Sequence, residues 1–368
     1  MPYGTVNADL MTTSDGVSSS GLYGFKNRII NGAMVINQRG YSGTPTADGT
    51  YTLDRWETRL SQASKFSVSQ SSTAPTGFNS SLLITSASAY SCTTNDFFDI
   101  DQQIEGYNSA DLGWGTASAA TVTISFWVRS SLTGTFGGAL ANADSSRTYP
   151  FSYSISSANT WEQKSITIAG DTSGTWLTTN STGIQVRFSL GVGTTYGGTA
   201  SAWVGSNKFG VTGQVNVVGT NGATFYITGV QLEKGSTATS FDYRPYGTEL
   251  ALCQRYYYSR TYYTSPVSSH IGIAQAYSST NVYGAFIQIT NEFRASPTLS
   301  KYPAATDIGL ATAGSSGAAG TASGSITPVA TSYGVYWDVA RAGGGLVAGN
   351  ASAVYAVNNC TFGFSAEL

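Results

Sequence analysis

The sequence predicts an all-β protein: a large antiparallel jelly-roll sandwich, a short linking helix and a smaller C-terminal β-sandwich. Three observations predict it. Charged residues make up only 10% of the 368 residues, and Ser, Thr, Asn and 43 glycines stand in their place. Ordinary soluble domains carry roughly 25% charge, whereas strands with hydroxyl-rich outer faces and tight glycine turns need little of it. Several segments alternate apolar and polar residues at period two, and a single segment carries a convincing helical period.

Taken in order, Met1 to Asn27 is short of large apolar side chains and holds the run Ser18-Ser19-Ser20-Gly21. It cannot build a core of its own. It reads either as a loose tail or as an attachment arm that orders on another protein. Residues 28–247 then repeat strand, turn, strand. Thr121 to Arg129, Lys164 to Ile168, Ile184 to Leu190 and Ala223 to Leu232 have strand patterning. Turn clusters such as Gly170-Asp171-Thr172-Ser173-Gly174 and Gly219-Thr220-Asn221-Gly222 separate them. In Asn31-Gly32 the glycine is expected to supply the positive φ of a turn. Tyr51 and Trp56 read as sheet-packing aromatics, and Asp54-Arg55 as a charged pair of little worth if exposed.

The linking helix is expected over 248–258. Thr248 serves as its N-cap, Glu249 lies in its first turn and Arg255 near its end. About six short strands come next in 259–368, interrupted by a low-complexity stretch from Gly314 to Ser325.

Other features exclude function classes. A net charge of −2 leaves no electrostatic footprint for nucleic acid or an anionic membrane. The longest apolar runs are strand-length, far from the roughly 20 residues of a spanning helix, so no membrane insertion is expected. Met1-Pro2-Tyr3-Gly4 lacks the basic and apolar regions of a secretion signal. An extracellular composition without a signal leads to the expectation of release by lysis inside an assembled virus particle. Cys92, Cys253 and Cys360 fit neither a disulfide framework nor a metal cluster and are expected to be buried free thiols. His270 is the one histidine, so a multi-histidine zinc site is excluded; a structural or solvent-facing role is expected for it.

The enzymatic option is glycan hydrolysis by two carboxylates. Asp96, Asp99, Asp101 and Glu105 form the densest acidic cluster, and period two puts Asp99 and Asp101 on one face of a strand. They could act as acid and base, or bind a cation. The long β-helix repeats of depolymerases are missing, and neither catalysis nor a cofactor is expected.

Three segments carry a resemblance. Asn27-Arg28-Ile29-Ile30-Asn31-Gly32-Ala33-Met34 with Gln38-Arg39-Gly40 opens the first domain, and Tyr51-Thr52-Leu53-Asp54-Arg55-Trp56 stands shortly after. Gly229-Val230-Gln231-Leu232-Glu233-Lys234-Gly235 closes it, running into Phe241-Asp242-Tyr243-Arg244-Pro245-Tyr246 and Leu250 to Tyr257. This ordered set resembles the carbohydrate-binding-module-like jelly-roll domains of bacteriophage tail-fibre and related virion proteins. Phe293 to Thr298 also resembles part of the small β-domain that succeeds the jelly roll in that group. The resemblance implies two antiparallel sheets, display on the virion and frequently a homotrimer. In that setting residues 1–27 would dock on another tail or head protein. Related glycan-binding jelly rolls often hold a structural calcium, with acids just after the opening Asn-Gly and in the final strand. Here those points read Ala33 and Ile227-Thr228-Gly229-Val230, so no metal is expected. Asn95 to Ile104 resembles the group's second strand region, where acids commonly face solvent.

A sugar site needs exposed aromatic faces in loops with polar groups nearby. Tyr107, Trp114, Trp176, Tyr196 and Trp203 qualify as glycan-binding candidates, each with loop anchoring as its alternative. The C-terminal tyrosines and the Gly314 to Ser325 loop are equally open. Three functions therefore stand side by side: a non-catalytic fibre subunit adhering to host surface polysaccharide, a decorating protein without a ligand, and a glycan-cleaving tailspike.

Overall fold

The computed structural model describes residues 26–264, 270–279, 281–283, 287–288, 291–301, 307–312, 320–321, 327–331, 334–340, 348, 351–356 and 358–368. The expected arm therefore lies outside the described residues except for Lys26 and Asn27. The Gly314 to Ser325 loop does too, except for 320–321. Two compact units divide the chain, Met1–Glu249 with Leu368, and Leu250–Glu367.

The first unit holds two six-stranded sheets, antiparallel throughout. One runs in spatial order β1 (Ser42–Gly43), β4 (Phe66–Ser71), β5 (Ser81–Ser86), β14 (Thr224–Lys234), β7 (Val122–Ser130) and β10 (Glu162–Ile168). The other runs β2 (Thr50–Tyr51), β3 (Glu57–Leu60), β6 (Phe97–Glu105), β11 (Thr182–Val192), β8 (Gly134–Ala141) and β9 (Thr148–Ile155). Non-consecutive neighbours in both sheets are the mark of a jelly roll rather than a meander. Inward-facing residues of the two sheets interleave in one core. Phe66 of the first meets Phe98 of the second edge-on at 6.3 Å, and Phe126 meets Phe188 at 4.9 Å. Trp56 is fully buried and its indole N–H donates to the Asn31 carbonyl.

Edge strand β10 alternates between half-buried and exposed residues, as its sequence pattern requires. Strand β11 does not: its residues from Gly183 on are buried on both faces. A strap containing the short parallel pair β12 (Gly197–Gly198) and β13 (Gly210–Val211) covers its outer face, with Gln214 donating to Ser189 Oγ at 2.7 Å.

Some local expectations need correction. The positive φ of the Asn31-Gly32 turn belongs to Asn31, at 58°. Gly32 is required by space instead, because a Cβ there would stand 2.2 Å from the Val230 carbonyl oxygen. Asp54 and Arg55 are fully buried, so the exposure that would make such a pair worth little does not arise. Asp54 accepts from the Gln38 backbone at 2.7 Å, and Arg55 donates to the Gln103 carbonyl. Buried polar groups hold their place through such bonds.

The helix, α1 (Tyr246–Gln254), starts two residues earlier than expected. The Pro245 carbonyl accepts from Thr248 and Glu249, so Thr248 lies inside the first turn and caps nothing. Tyr257 and Tyr258 belong to the next strand, because consecutive aromatics favour a pleated surface.

The second unit packs a three-stranded sheet, β15 (Tyr257–Tyr262), β25 (Cys360–Ser365) and β19 (Thr298–Lys301), with an eight-stranded sheet. The latter comprises β16 (His270–Ala276), β17 (Asn281–Tyr283), β18 (Ile287–Gln288), β20 (Ile308–Thr312), β21 (Gly320–Thr321), β22 (Thr327–Thr331), β23 (Gly334–Ala340) and β24 (Ala351–Ala356). Tyr258, Phe362 and Phe364 from the first share a core with Ile271, Val282 and Val354 from the second. The strands are more numerous than the sequence pattern indicates, and the added ones include Tyr257–Tyr262, Ile308–Thr312 and Thr327–Thr331. His270 opens β16. Cys253 and Cys360 are buried free thiols, whereas Cys92 is only partly buried. Burial pushes the thiols of Cys92 and Cys360 up to about 11. Among the described residues no helix is long and apolar enough to cross a membrane.

Candidate functional site

Register places four loops at one end of the first sandwich. Thr182 of β11 pairs with Glu105 at the end of β6, and Gln185 pairs with Ala141 at the end of β8. The chain after β6, the β8–β9 turn and the β10–β11 connection therefore emerge together. The loop around Trp203 joins them, because Thr148 and Val204 exchange backbone hydrogen bonds of 3.0 and 2.8 Å.

These loops bring Trp114, Trp176 and Trp203 into mutual edge-to-face contact. Centroid distances are 4.7 Å for 114–176, 5.4 Å for 114–203 and 5.5 Å for 176–203. Tyr149 adds a fourth ring at 5.2 Å from Trp203. Trp114 is buried at 7% exposure, while Trp176 and Trp203 remain half-buried. Each indole N–H is committed to a backbone oxygen: Trp114 to Ala120, Trp176 to Ser173 and Trp203 to Ala169, at 2.7, 3.0 and 2.8 Å. The partly open rings thus offer faces and edges rather than a polar donor.

Asp171 fastens the loops. Its carboxylate receives a bidentate pair from Arg147, Nε at 2.7 Å and a terminal guanidinium nitrogen at 2.8 Å. It also accepts from the Ser173 backbone at 3.1 Å, and its carbonyl accepts from Gly115 at 2.7 Å. The bond to Asp171 raises the pKa of Arg147, opposed in part by burial. Gly115 takes a φ of 83°, and a Cβ there would reach 2.8 Å from the Gly174 carbonyl. Fork-to-fork pairing of this kind sets geometry as well as energy.

Tyr107 stands on the adjoining turn, its backbone N–H donating to Thr179 at 2.9 Å, with its ring 63% exposed. Tyr196 does not join the group. It packs on Phe97 and Phe209, each at 5.2 Å, beyond the start of β6 at the opposite end of the sandwich. The structure therefore assembles Trp114, Trp176 and Trp203 with Tyr107 close by, and separates Tyr196. Asp171 lies in a turn cluster visible in the sequence, whereas Arg147 and Tyr149 have no distinguishing local pattern.

The acidic cluster comes apart. Asp96 sits in a loop, where burial is outweighed by hydrogen bonds from Thr93, Ser61 and Tyr90 that hold its carboxyl below the usual range. Asp99 and Asp101 do share a face, but they are 0% exposed rather than solvent-facing. Glu57 and Arg187 flank Asp101 on the neighbouring strands, and Arg59 and Ser189 flank Asp99. Arg187 lies 3.7 Å from Asp101 and is covered by the Phe209 ring at 4.3 Å. Its other nitrogens reach the Asn207 side chain at 2.8 Å and Ser145 Oγ at 2.6 Å.

Burial, aided by Asp101, pushes Glu57 up to about 7. Burial pushes Asp101 up to about 6 against the pull of Arg187, and drives Asp99 well above the carboxylate range. Among the described residues neither oxygen of Asp99 has a hydrogen-bond partner. Perturbed carboxylates often mark active sites, but these are sealed beneath the strap. Among the described residues no three Asp, Glu, His or Cys gather as a metal site would require.

No protein-family model matches the chain. No curated protein matches it either. Similarity is found among solved structures only. The enzymatically active domain of bacteriophage CBA120 tailspike protein 4 aligns at 11% identity and a TM-score of 0.32, over 57% of this chain and 21% of that one. The module TmCBM61, in complex with β-1,4-galactotriose, aligns at 9% identity and 0.30, over 57% of this chain and 99% of that one. A family 11 carbohydrate-binding module of a cellulosomal cellulase of Clostridium thermocellum aligns at 14% identity and 0.27, covering 54% and 98%.

Proposed function

We propose that this chain is a non-catalytic structural protein of a bacteriophage particle, of tail-fibre type, that adheres to glycans on the host surface. The observation that carries the reading is the convergence of Trp114, Trp176 and Trp203 at one end of the sandwich, with two of the three rings partly open and Tyr107 exposed beside them. Aromatic faces of this kind stack on the C–H-rich faces of sugar rings. The burial of Asp99 and Asp101 supports a binding role over hydrolysis, since a polymer needs access to both carboxylates. In this reading residues 1–27 dock on another tail or head protein and the particle is the site of action.

A homotrimer belongs to the proposal, because weak single sites gain strength through multivalency. Ile273 at 76% exposure and Tyr283 at 48%, on adjacent strands β16 and β17, leave an outward apolar row that suits contact between copies. Native mass spectrometry of the full chain is expected to give three chains; a monomer removes this part of the proposal.

The test of adhesion is staining of host cells by fluorescently labelled protein before and after periodate oxidation of their surface sugars. Staining lost on oxidation is the expected result. A specific observation favours a second reading, a decorating protein without a ligand: all three indole N–H groups are already spent on loop backbones. Absence of staining on every host that the phage adsorbs to would establish that reading, and release of reducing sugar from host polysaccharide would restore the enzymatic one.

A further inference from the structure

A second site lies on the same end of the sandwich but on the β5 side of β14. Ile227 pairs with Leu82 near the start of β5, so the β4–β5 loop emerges beside the middle of β14, where a Cβ on Gly229 would stand 2.6 Å from the Phe78 ring. There the loop meets the segment that leaves the sandwich, and together they enclose a cavity of about 210 Å³. Phe78, Phe241 and Tyr243 form its aromatic wall, with centroids 5.1, 5.4 and 4.8 Å apart. Tyr246 completes the lining at 63% exposure and Tyr243 is exposed at 58%. The rings fasten the departing chain, with Tyr243 Oη donating to the Gly77 carbonyl at 2.8 Å, while Phe78 and Phe241 stay half-buried and Tyr243 exposed.

The polar lining divides into fixed and free groups. Arg244 is held by Glu249 at 3.3 Å and by Asp242 at 3.8 Å, so its charge is balanced within the wall. Asn27 spends its side chain on Val230, Ile29 and Leu232. Asn79 is exposed and makes no hydrogen bond within the described residues, while the Asp242 carboxylate, which accepts from the Asn27 backbone at 3.4 Å and faces Arg244, is still 33% open. We infer that this cavity binds a single neutral pyranose ring, the terminal residue of a glycan. The aromatic wall would take the apolar ring face, and Asn79 and Asp242 would take hydroxyls. At about 210 Å³ the cavity suits one ring, below the roughly 300–1,000 Å³ of sites for drug-sized ligands. One guanidinium against the two carboxylates of Asp242 and Glu249 leaves the lining net negative, which disfavours phosphate and other anions.

This inference rests on the glycan-binding reading but concerns residues separate from the tryptophan cluster. Ligand-observed NMR on the full chain, with methyl glycosides of glucose, galactose, mannose and N-acetylglucosamine at about 10 mM, tests it. That concentration exceeds the millimolar affinity one ring in a small pocket can reach. The expected result is binding of at least one glycoside, lost in Asn79→Ala and Tyr246→Ala. Both substitutions in the cavity lie on exposed side chains, and unchanged thermal unfolding would confirm that the fold persists. Binding by no glycoside overturns the inference. So does binding that survives both cavity substitutions, and if Trp176→Ala alone abolishes it, the tryptophan end is supported instead.

Discussion

Trp176→Ala is expected to weaken staining of host cells roughly ten- to a hundredfold while shifting thermal unfolding by only a few degrees. Hot-spot aromatics are worth about 2 kcal/mol or more on truncation, and each 1.4 kcal/mol is about tenfold in affinity. Trp176 suits the test because it is half-buried and its N–H bond stays within its own loop, to Ser173. Trp176→Phe keeps an aromatic face and is expected to recover most of the binding. Trp114→Ala serves as the contrast. At 7% exposure it belongs to the core, so its loss is expected to destabilise the whole loop assembly. Full binding by Trp176→Ala would make the cluster an anchor and move the weight to the structural reading.

Arg187→Met is expected to cost about 3–5 kcal/mol at pH 7.5, lowering the thermal midpoint by roughly 10 °C, and distinctly less at pH 5. Arg187 is buried beside Asp101 and lowers the pKa of both Asp99 and Asp101. Without it, buried negative charge has lost its main compensation.

The pH dependence is set by the direction of the shifts. Glu57, Asp99 and Asp101 all have folded-state values above those of the unfolded chain. Below the unfolded values near 4 every state is protonated and this contribution is complete. As pH rises toward about 7 the unfolded chain releases protons that the folded chain retains, so stability falls and then levels. Removing Arg187 raises the folded values further and steepens that fall. Asp99→Asn is expected to do the reverse, matching or exceeding the wild-type midpoint at pH 7.5 and flattening the profile. Chemical denaturation of the three proteins at pH 5 and 7.5 decides it; an equal loss for Arg187→Met at both values would reduce its role to packing.

Much of the fold is legible in the residues alone. Period-two segments such as Lys164 to Ile168 and Ile184 to Leu190 lie within strands, because alternation reports a pleat, even where, as in β11, both faces are covered. Trp56 lies in the core as its neighbourhood indicates. The candidate site is legible only as loose parts. Trp114, Trp176 and Trp203 are aromatic loop residues up to 89 positions apart, and nothing local distinguishes them from Tyr196, which packs elsewhere.

The environment of Asp99 and Asp101 departs from expectation for a related reason. Their spacing correctly places both on one strand face, but a spacing carries no information about what covers that face. The strap that buries it comes from residues roughly a hundred positions later.

Fold class, strand patterning and the scarcity of helix are legible along the chain, since backbone period, turn chemistry and composition are local properties. Tertiary structure alone decided which loops meet, which acids are sealed, why Gly32 has no room for a side chain, and where Phe78 and Tyr243 frame a cavity. Each of those depends on sheet register and on chain segments distant in sequence, and contacts of that kind leave no periodic trace in the residues that make them.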